Sequence, residues 1–300
     1  NADRLLNRHL LLPRVVRCAT RTADFVHVVD HSYAHVVSAV PPGRVGVYCH
    51  DLDAFRSILD PDTEPRPWWF RRLARRTLRG LQRAAVVFHS TLGVREQILR
   101  HGLVEAAKLV HAPYGVAAEF TPGEGVPREP FVLHVGANIP RKRLDVLLDV
   151  FAAARVDGLR LVQVGGPWPP HLAEQIERLK IGPFVTQARD LSRGQLADLY
   201  RRAAVVLVPS GAEGFGLPVI EALACGASVV ASDIPTLREA GGGAVTYCPV
   251  GAVGEWAAAV SRVLNHGDPV SSDSRLSHAA KFTWAEHARV IAGAYLALRG

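Results

Sequence analysis

A chain of 300 residues has room for about two domains, and 48% hydrophobic with 21% charged residues is globular composition, which excludes a mostly disordered chain. No apolar run approaches the roughly 18 residues of a membrane-spanning helix. The formal charge of +7 sits in one stretch, because Arg66 to Arg83 holds seven Arg and no acid. That excludes a general nucleic-acid coat and leaves a local patch to explain.

The chain contains no Met, opens on Asn1 and shows no signal-peptide pattern; we expect its natural beginning to lie upstream. A helix is expected over Ala2–Arg21. Strands follow at Phe25–Val29, Val45–Cys49, Ala85–Phe88 and Leu109–Ala112. Between them, Trp68 to Arg83 repeats Phe70, Leu73, Ala74, Leu78 and Leu81 at helical spacing, with Arg on the remaining faces. This reads as a basic amphipathic helix able to lie on an anionic membrane; the competing account is a helix packed on the sheet with solvated Arg, favoured by a stripe that could simply be core and by Gly80, which weakens the helix. Residues 119–130, with three Pro and two Gly, read as a linker. Beyond it come strands at Phe131–Val135, Leu159–Val164, Phe184–Thr186, Val205–Val208, Ser228–Ala231 and Val245–Tyr247. Helices are expected at Leu144–Arg155, His171–Lys180, Arg193–Arg202 and Pro218–Cys225.

Short apolar strands alternating with helices predict parallel sheets covered on both faces. Two such units joined by a linker predict an α/β protein of two doubly wound, Rossmann-like domains facing a cleft, with ligands at the carboxyl ends of strands. Cys18, Cys49, Cys225 and Cys248 form no Cys-x-x-Cys pair and read as reduced thiols of a cytoplasmic protein.

The loops after the strands carry the candidate chemistry. Residues 208–230 read VPSGAEGFGLPVIEALACGASVV. Glu213, Gly214, Phe215 and Gly216 form a loop, Pro218 suits the first position of a helix, and Glu221 lies one turn in. Glycines admit a ligand to the backbone, exposed N–H groups favour an anion, and carboxylates accept bonds from sugar or ribose hydroxyls. The competing account is that both Glu only satisfy the helix dipole. After the strand that ends at Gly136, Arg141, Lys142 and Arg143 can clamp phosphate, and Gly165 opens a tight loop at the same edge. In the first half, His50 follows one strand, and Asp30, His31 and Tyr33 follow another; each has an ordinary structural role as its alternative. No Gly-x-Gly-x-x-Gly, phosphate-loop or zinc pattern is present.

These residues resemble the family-4 glycosyltransferases: Glu-Gly-Phe-Gly-Leu-Pro, the spacing of Glu213 and Glu221, Gly136 with Pro140-Arg141-Lys142, Tyr114-Gly115-Val116, and Thr283-Trp284 before the final helix. The resemblance implies a GT-B fold, with an acceptor-side domain over residues 1–121, a donor domain over 122–282, and a helix over 283–300 crossing back. It implies transfer of a hexose from a nucleotide-diphosphate sugar, such as GDP-mannose or UDP-glucose, to a saccharide or lipid-linked acceptor hydroxyl. Transfer would retain the anomeric configuration without metal or other cofactor, in bacterial polysaccharide biosynthesis. Glu213 would hold the donor sugar, helped by the amides of Phe215 and Gly216 beside Gly214 and Leu217. Glu221 would bind ribose, Lys142 and Arg141 the diphosphate, and His50 the sugar; Asp30, His31 and Tyr33 would lie on the acceptor side. The family's opening strand and Gly-rich loop have no counterpart, so the N-terminal domain looks truncated, with a hole expected in its sheet. Ala137 stands where many members carry Arg. A non-catalytic nucleotide-sugar binder and another GT-B enzyme, such as a nucleotide-sugar epimerase, are the competing functions; nucleic acid is not an expected partner. The protein is expected in the cytoplasm, peripheral at the inner face of the plasma membrane.

Overall fold

The computed structural model describes residues 2–123 and 125–299. Glu124, inside the expected linker, and the two end residues of the expected domains lie outside the described residues. The chain divides into two compact units, one running to Pro113 and taking in Ala285 onward, the other Tyr114–Trp284.

The first unit holds a parallel sheet of β1 (Val26–Val28), β2 (Val45–Cys49), β3 (Val86–His89) and β4 (Leu109–His111). Their order is β1-β2-β3-β4. The expected hole is absent among the described residues: strands laid down in sequence order wind in one sense and leave β1 at an edge instead. Val47, Phe55, Leu81, Val87 and Ile98 centre its core.

The opening helix runs from Ala2 to Ala19 but widens into a π turn at Asn7–Leu11. Pro13 is the physical reason, since it has no N–H to give and its ring crowds the preceding turn. The Leu12 N–H then reaches Asn7 O, five residues back. His31–Ala39, which begins within the loop expected at Asp30–Tyr33, is a 3₁₀ segment capped by Asp30, whose side chain accepts from the Ser32 N–H.

The Trp68–Arg83 helix is packed against the rest of its unit, as in the second of the two accounts. Ala74 and Leu81 of its apolar stripe are buried, with Thr77 and Gly80 beside them, whereas Phe70 is 38% exposed. Gly80 is there for close approach, because a Cβ at that position would lie 1.9 Å from Ala34 O. The face left to solvent carries Arg72, Arg75, Arg79 and Arg83, with Trp68 75% and Trp69 44% exposed at its start.

The second unit holds β5 (Glu129–Val135), β6 (Arg160–Val164), β7 (Val185–Ala188), β8 (Ala203–Val208), β9 (Val229–Ser232) and β10 (Thr246–Cys248). All neighbours are parallel, in the order β10-β9-β8-β5-β6-β7. Successive side chains of a strand point to opposite faces, and both faces are covered. Val132, Val205 and Leu207 pack with Leu147, Phe151, Trp256 and Val260. Phe131, Leu133, Val206 and Val208 pack with Tyr200, Val219, Leu223 and Leu237. The winding reverses between β5 and β8, so the chain leaves these two neighbours in opposite directions. That switch point is where a parallel sheet opens a crevice for ligands.

Candidate functional site

The loops that diverge at the switch point are the two read from the sequence as chemically rich. After β5, which ends one residue before Gly136, residues 140–142 make a 3₁₀ turn. After β8, the chain runs through Glu213 to Gly216, which caps the helix Leu217–Ala224 with φ 102°, a left-handed conformation that suits glycine. Pro218 is the second helical residue, not the first.

A charge cluster ties the loops together. Glu213 Oε1 accepts from Lys142 Nζ at 2.5 Å and from Ser210 Oγ at 2.6 Å, and Oε2 accepts from Arg141 at 3.0 Å. The Glu213 side chain is only 6% exposed, and that of Lys142 10%. The backbone joins in, with the Gly211 N–H donating to Arg141 O at 2.8 Å and the Arg141 guanidinium to Ala212 O at 3.1 Å. The sequence placed the carboxylate and the cations in separate roles in an open cleft; the structure brings them together as one buried ion cluster. Arg143 instead turns to Asp145, on which it makes a bidentate pair.

Glu221 accepts from the Tyr200 hydroxyl at 3.1 Å. Burial pushes its carboxyl up to about 7, against the Tyr200 hydrogen bond and Arg193, which pull it down. Phe215 is buried against Ile220 and Ala240, with the Tyr114 and Phe282 rings 5.0 and 5.9 Å away, so its side chain anchors the loop. Leu217 is 39% exposed. Gly165 is required by backbone packing, since a Cβ there would lie 2.2 Å from Gly136 O.

Sequence reasoning missed the groups that hold these loops. Gln163, fully buried on β6, donates to Gly136 O at 3.0 Å and to Asn138 Oδ1 at 3.1 Å, and accepts from Gln187 at 2.9 Å. Asn138 in turn donates to Gly166 O and Pro167 O, each at 2.7 Å. Ser210 stood in the motif, three residues before Glu213; Tyr200 and the amide ladder carried no local signal. A pocket of about 400 Å³ beside the 3₁₀ turn is lined by Asn138, Pro140, Arg143, Asp145 and His171 among others. Among the described residues, no three His, Cys, Asp or Glu side chains are grouped to hold a metal ion.

The candidates of the first unit form a second cluster. The His50 N–H donates to His31 Nδ1 at 3.3 Å, and the two rings are 5.8 Å apart. His31 Nε2 faces Asp51 at 3.6 Å, and its Nδ1 lies 3.8 Å from Asp30. Burial lowers the His31 pKa, opposed by Asp51 and Asp30. Burial would raise Asp30, but its hydrogen bonds from Ser32 and the nearby His31 and His50 hold it below the usual carboxylate range. Tyr33 carries the Arg8 guanidinium 4.2 Å above its ring.

The family model described as "Glycosyl transferases group 1" matches residues 119–282, more than half of the chain. The chain is 36% identical over 193 residues to a D-inositol 3-phosphate glycosyltransferase of Mycolicibacterium smegmatis, covering 59% of this chain and 44% of that protein. To the Mycobacterium tuberculosis H37Ra protein of the same name it is 33% identical over 223 residues, 67% of this chain and 46% of the relative. The chain thus spans less than half the length of these curated relatives. Among solved structures, sucrose-phosphate synthase from Thermosynechococcus elongatus matches with a TM-score of 0.81 at 22% identity, over 99% of this chain and 79% of that one. Anabaena HepE in complex with UDP and glucose matches with a TM-score of 0.79 at 18% identity, over 96% and 82%.

Proposed function

The chain belongs to the glycosyl transferases group 1 family and has the GT-B fold, and from that premise we propose that it transfers a hexose from a nucleotide-diphosphate sugar to an acceptor hydroxyl with retention at the anomeric carbon. The observation that carries this reading is the Glu213–Lys142–Arg141 cluster at the switch point. It pairs a carboxylate able to accept from sugar hydroxyls with cations able to take the charge of a departing diphosphate. In the reaction the bond from the anomeric carbon to the diphosphate oxygen breaks, a bond to the acceptor oxygen forms, and the acceptor proton leaves with the diphosphate.

Lys142 and Arg141 neutralise the leaving group, the amides of Phe215 and Gly216 hold the sugar beside Glu213, and Glu221 accepts from ribose. Within the first unit, His50 is the residue we assign to the sugar, and Asp30, His31 and Tyr33 those we assign to the acceptor. No resident metal takes part, so activity persists in EDTA. UDP-glucose is the first donor to try, given the UDP-glucose complex of Anabaena HepE, and GDP-mannose the second. An inositol phosphate is the first acceptor, given the names of the relatives. The test is release of nucleoside diphosphate from each donor, with and without acceptor. Acceptor-dependent release supports transfer. Donor binding without release favours a non-catalytic binder, and isomerised sugar nucleotide favours an epimerase.

Lys142→Ala removes one charge-assisted bond to the diphosphate. The loss of about 1.5–3 kcal/mol is expected to weaken UDP or GDP binding about ten- to a hundredfold. Calorimetric titration checks this, and an unchanged Kd removes Lys142 from the site.

The protein works at the cytoplasmic face of an anionic membrane. No described helix is long and apolar enough to cross a bilayer, but the exposed Arg72, Arg75, Arg79 and Arg83, with Trp68 and Trp69 beside them, suit adsorption worth about 1 kcal/mol per basic residue. Changing the four Arg to Gln is expected to abolish salt-sensitive co-sedimentation with anionic vesicles. Equal partition of variant and wild type leaves the patch a solvated face.

A further inference from the structure

The first unit contains a pocket that the donor chemistry does not use. It measures about 210 Å³, and its lining includes Arg8, His9, Ser32, Phe70, Leu73 and Thr77. Arg8 and His9 reach it from the π turn forced by Pro13. His9 is buried, and its ring lies 4.5 Å from that of His35. The neutral His35 donates from Nε2 to Arg8 O at 2.8 Å, which leaves its Nδ1 as a bare lone pair. Arg8 spends one guanidinium nitrogen on Ser32 O and lays its plane over Tyr33.

This arrangement leaves a surplus of buried nitrogen. Arg8 Nε, His9 Nδ1, His35 Nδ1 and Arg71 Nε are buried without a hydrogen-bond partner among the described residues. Arg71 belongs to the Trp68–Arg83 helix, next to Phe70 of the pocket wall. The charges that act on both imidazoles are also of one sign. After burial, His35, Arg8 and Arg76 depress His9 to about 4, and Arg76 and Arg8 depress His35. A buried guanidinium N–H without an acceptor leaves its desolvation cost unoffset, and among the described residues no carboxylate acts on either imidazole. An oxyanion would satisfy the donors, balance the charge and let the imidazoles take up protons as further donors.

We propose that this pocket binds a phosphate group, with Arg8 and His9 donating to its oxygens and Arg76 adding positive charge from the neighbouring helix. The phosphate comes from a small phosphorylated molecule or from a lipid headgroup. That it marks the acceptor rests on the proposed transferase reading; the binding itself does not.

The test follows the imidazole NMR signals of His9 and His35 in the 300-residue chain. Inorganic phosphate, then inositol monophosphate, then phosphatidylcholine vesicles with and without phosphatidylinositol are added at constant ionic strength. A saturable shift of His9 toward imidazolium is expected, weakened about ten- to a hundredfold in Arg8→Gln. Arg76→Gln serves as the second variant should Arg8→Gln not fold. Saturation by the soluble phosphates assigns the site to a small molecule; saturation by phosphatidylinositol vesicles alone assigns it to a headgroup. A folded wild-type protein whose His9 answers none of these probes, or whose response survives both substitutions, overturns the proposal. Phosphate binding without sugar transfer from any donor leaves this site standing and removes the transferase reading instead.

Discussion

Glu213→Ala is expected to abolish sugar transfer while leaving nucleoside diphosphate binding intact or tighter. The carboxylate has two tasks. It accepts from the donor sugar in the proposed reaction, and in the structure it holds Lys142 and Arg141. A diphosphate brings charge of the same sign to the same cations, so in the wild type it must compete with Glu213 for them. Removing the carboxylate removes the competitor. It also leaves a Lys142 side chain that is only 10% exposed without its partner, and breaking a buried pair costs about 3–5 kcal/mol. Arg141, whose side chain is 31% exposed, is re-solvated at smaller cost. The variant therefore melts below the wild type, and UDP raises its Tm by more than it raises that of the wild type. Loss of a group preorganised at the reacting centre is expected to lower kcat about a hundred- to a thousandfold. Glu213→Gln keeps an acceptor for Ser210 and falls between the two. Near-wild-type turnover of Glu213→Ala takes the residue out of the reacting centre, and weaker UDP binding overturns the competition.

That coupling shows where the sequence stopped being informative. Strands such as Val205–Val208 are legible because a parallel strand buried on both faces reads as an unbroken apolar run. The structure extends this one by two residues, to Ala203. The loop residues are legible because glycine, proline and charge cluster where strands end. What a single stretch cannot show is which side chains meet. Lys142 and Glu213 are 71 residues apart and touch only because β5 and β8 are neighbours across the switch point. Gly80 is the reverse case. Its propensity alone argues against a helix, yet the contact with Ala34 makes it the residue that lets the helix approach the 3₁₀ segment. The same packing takes Ala74 and Leu81 of the apolar stripe into the core and leaves Arg72, Arg75, Arg79 and Arg83 to solvent.

Glu221 is expected to make donor binding depend on pH around neutrality. Burial raises its carboxyl from the ordinary 4.5 to about 7, with the Tyr200 hydroxyl and Arg193 opposing. The folded value is the higher one, so the native state holds the proton more tightly than the unfolded chain does. The resulting stability is present in full below about 4.5 and is lost as pH rises through about 7. A rise of that size corresponds to about 3 kcal/mol. Glu221→Gln keeps an oxygen for Tyr200 and has no charge to bury. Relative to wild type it should gain stability well above neutrality and gain little in acid. Ligand binding runs the other way, because two ribose hydroxyls donate best to the ionised carboxylate. UDP affinity of the wild type should therefore rise through neutrality, with proton release on binding below it, whereas Glu221→Gln binds more weakly with a flatter profile. Calorimetry in buffers of different ionisation enthalpy reads the released proton directly. A wild-type UDP affinity that does not change across neutrality, with no proton released, would place Glu221 outside the nucleotide site and leave its raised pKa a consequence of burial beside Tyr200 alone.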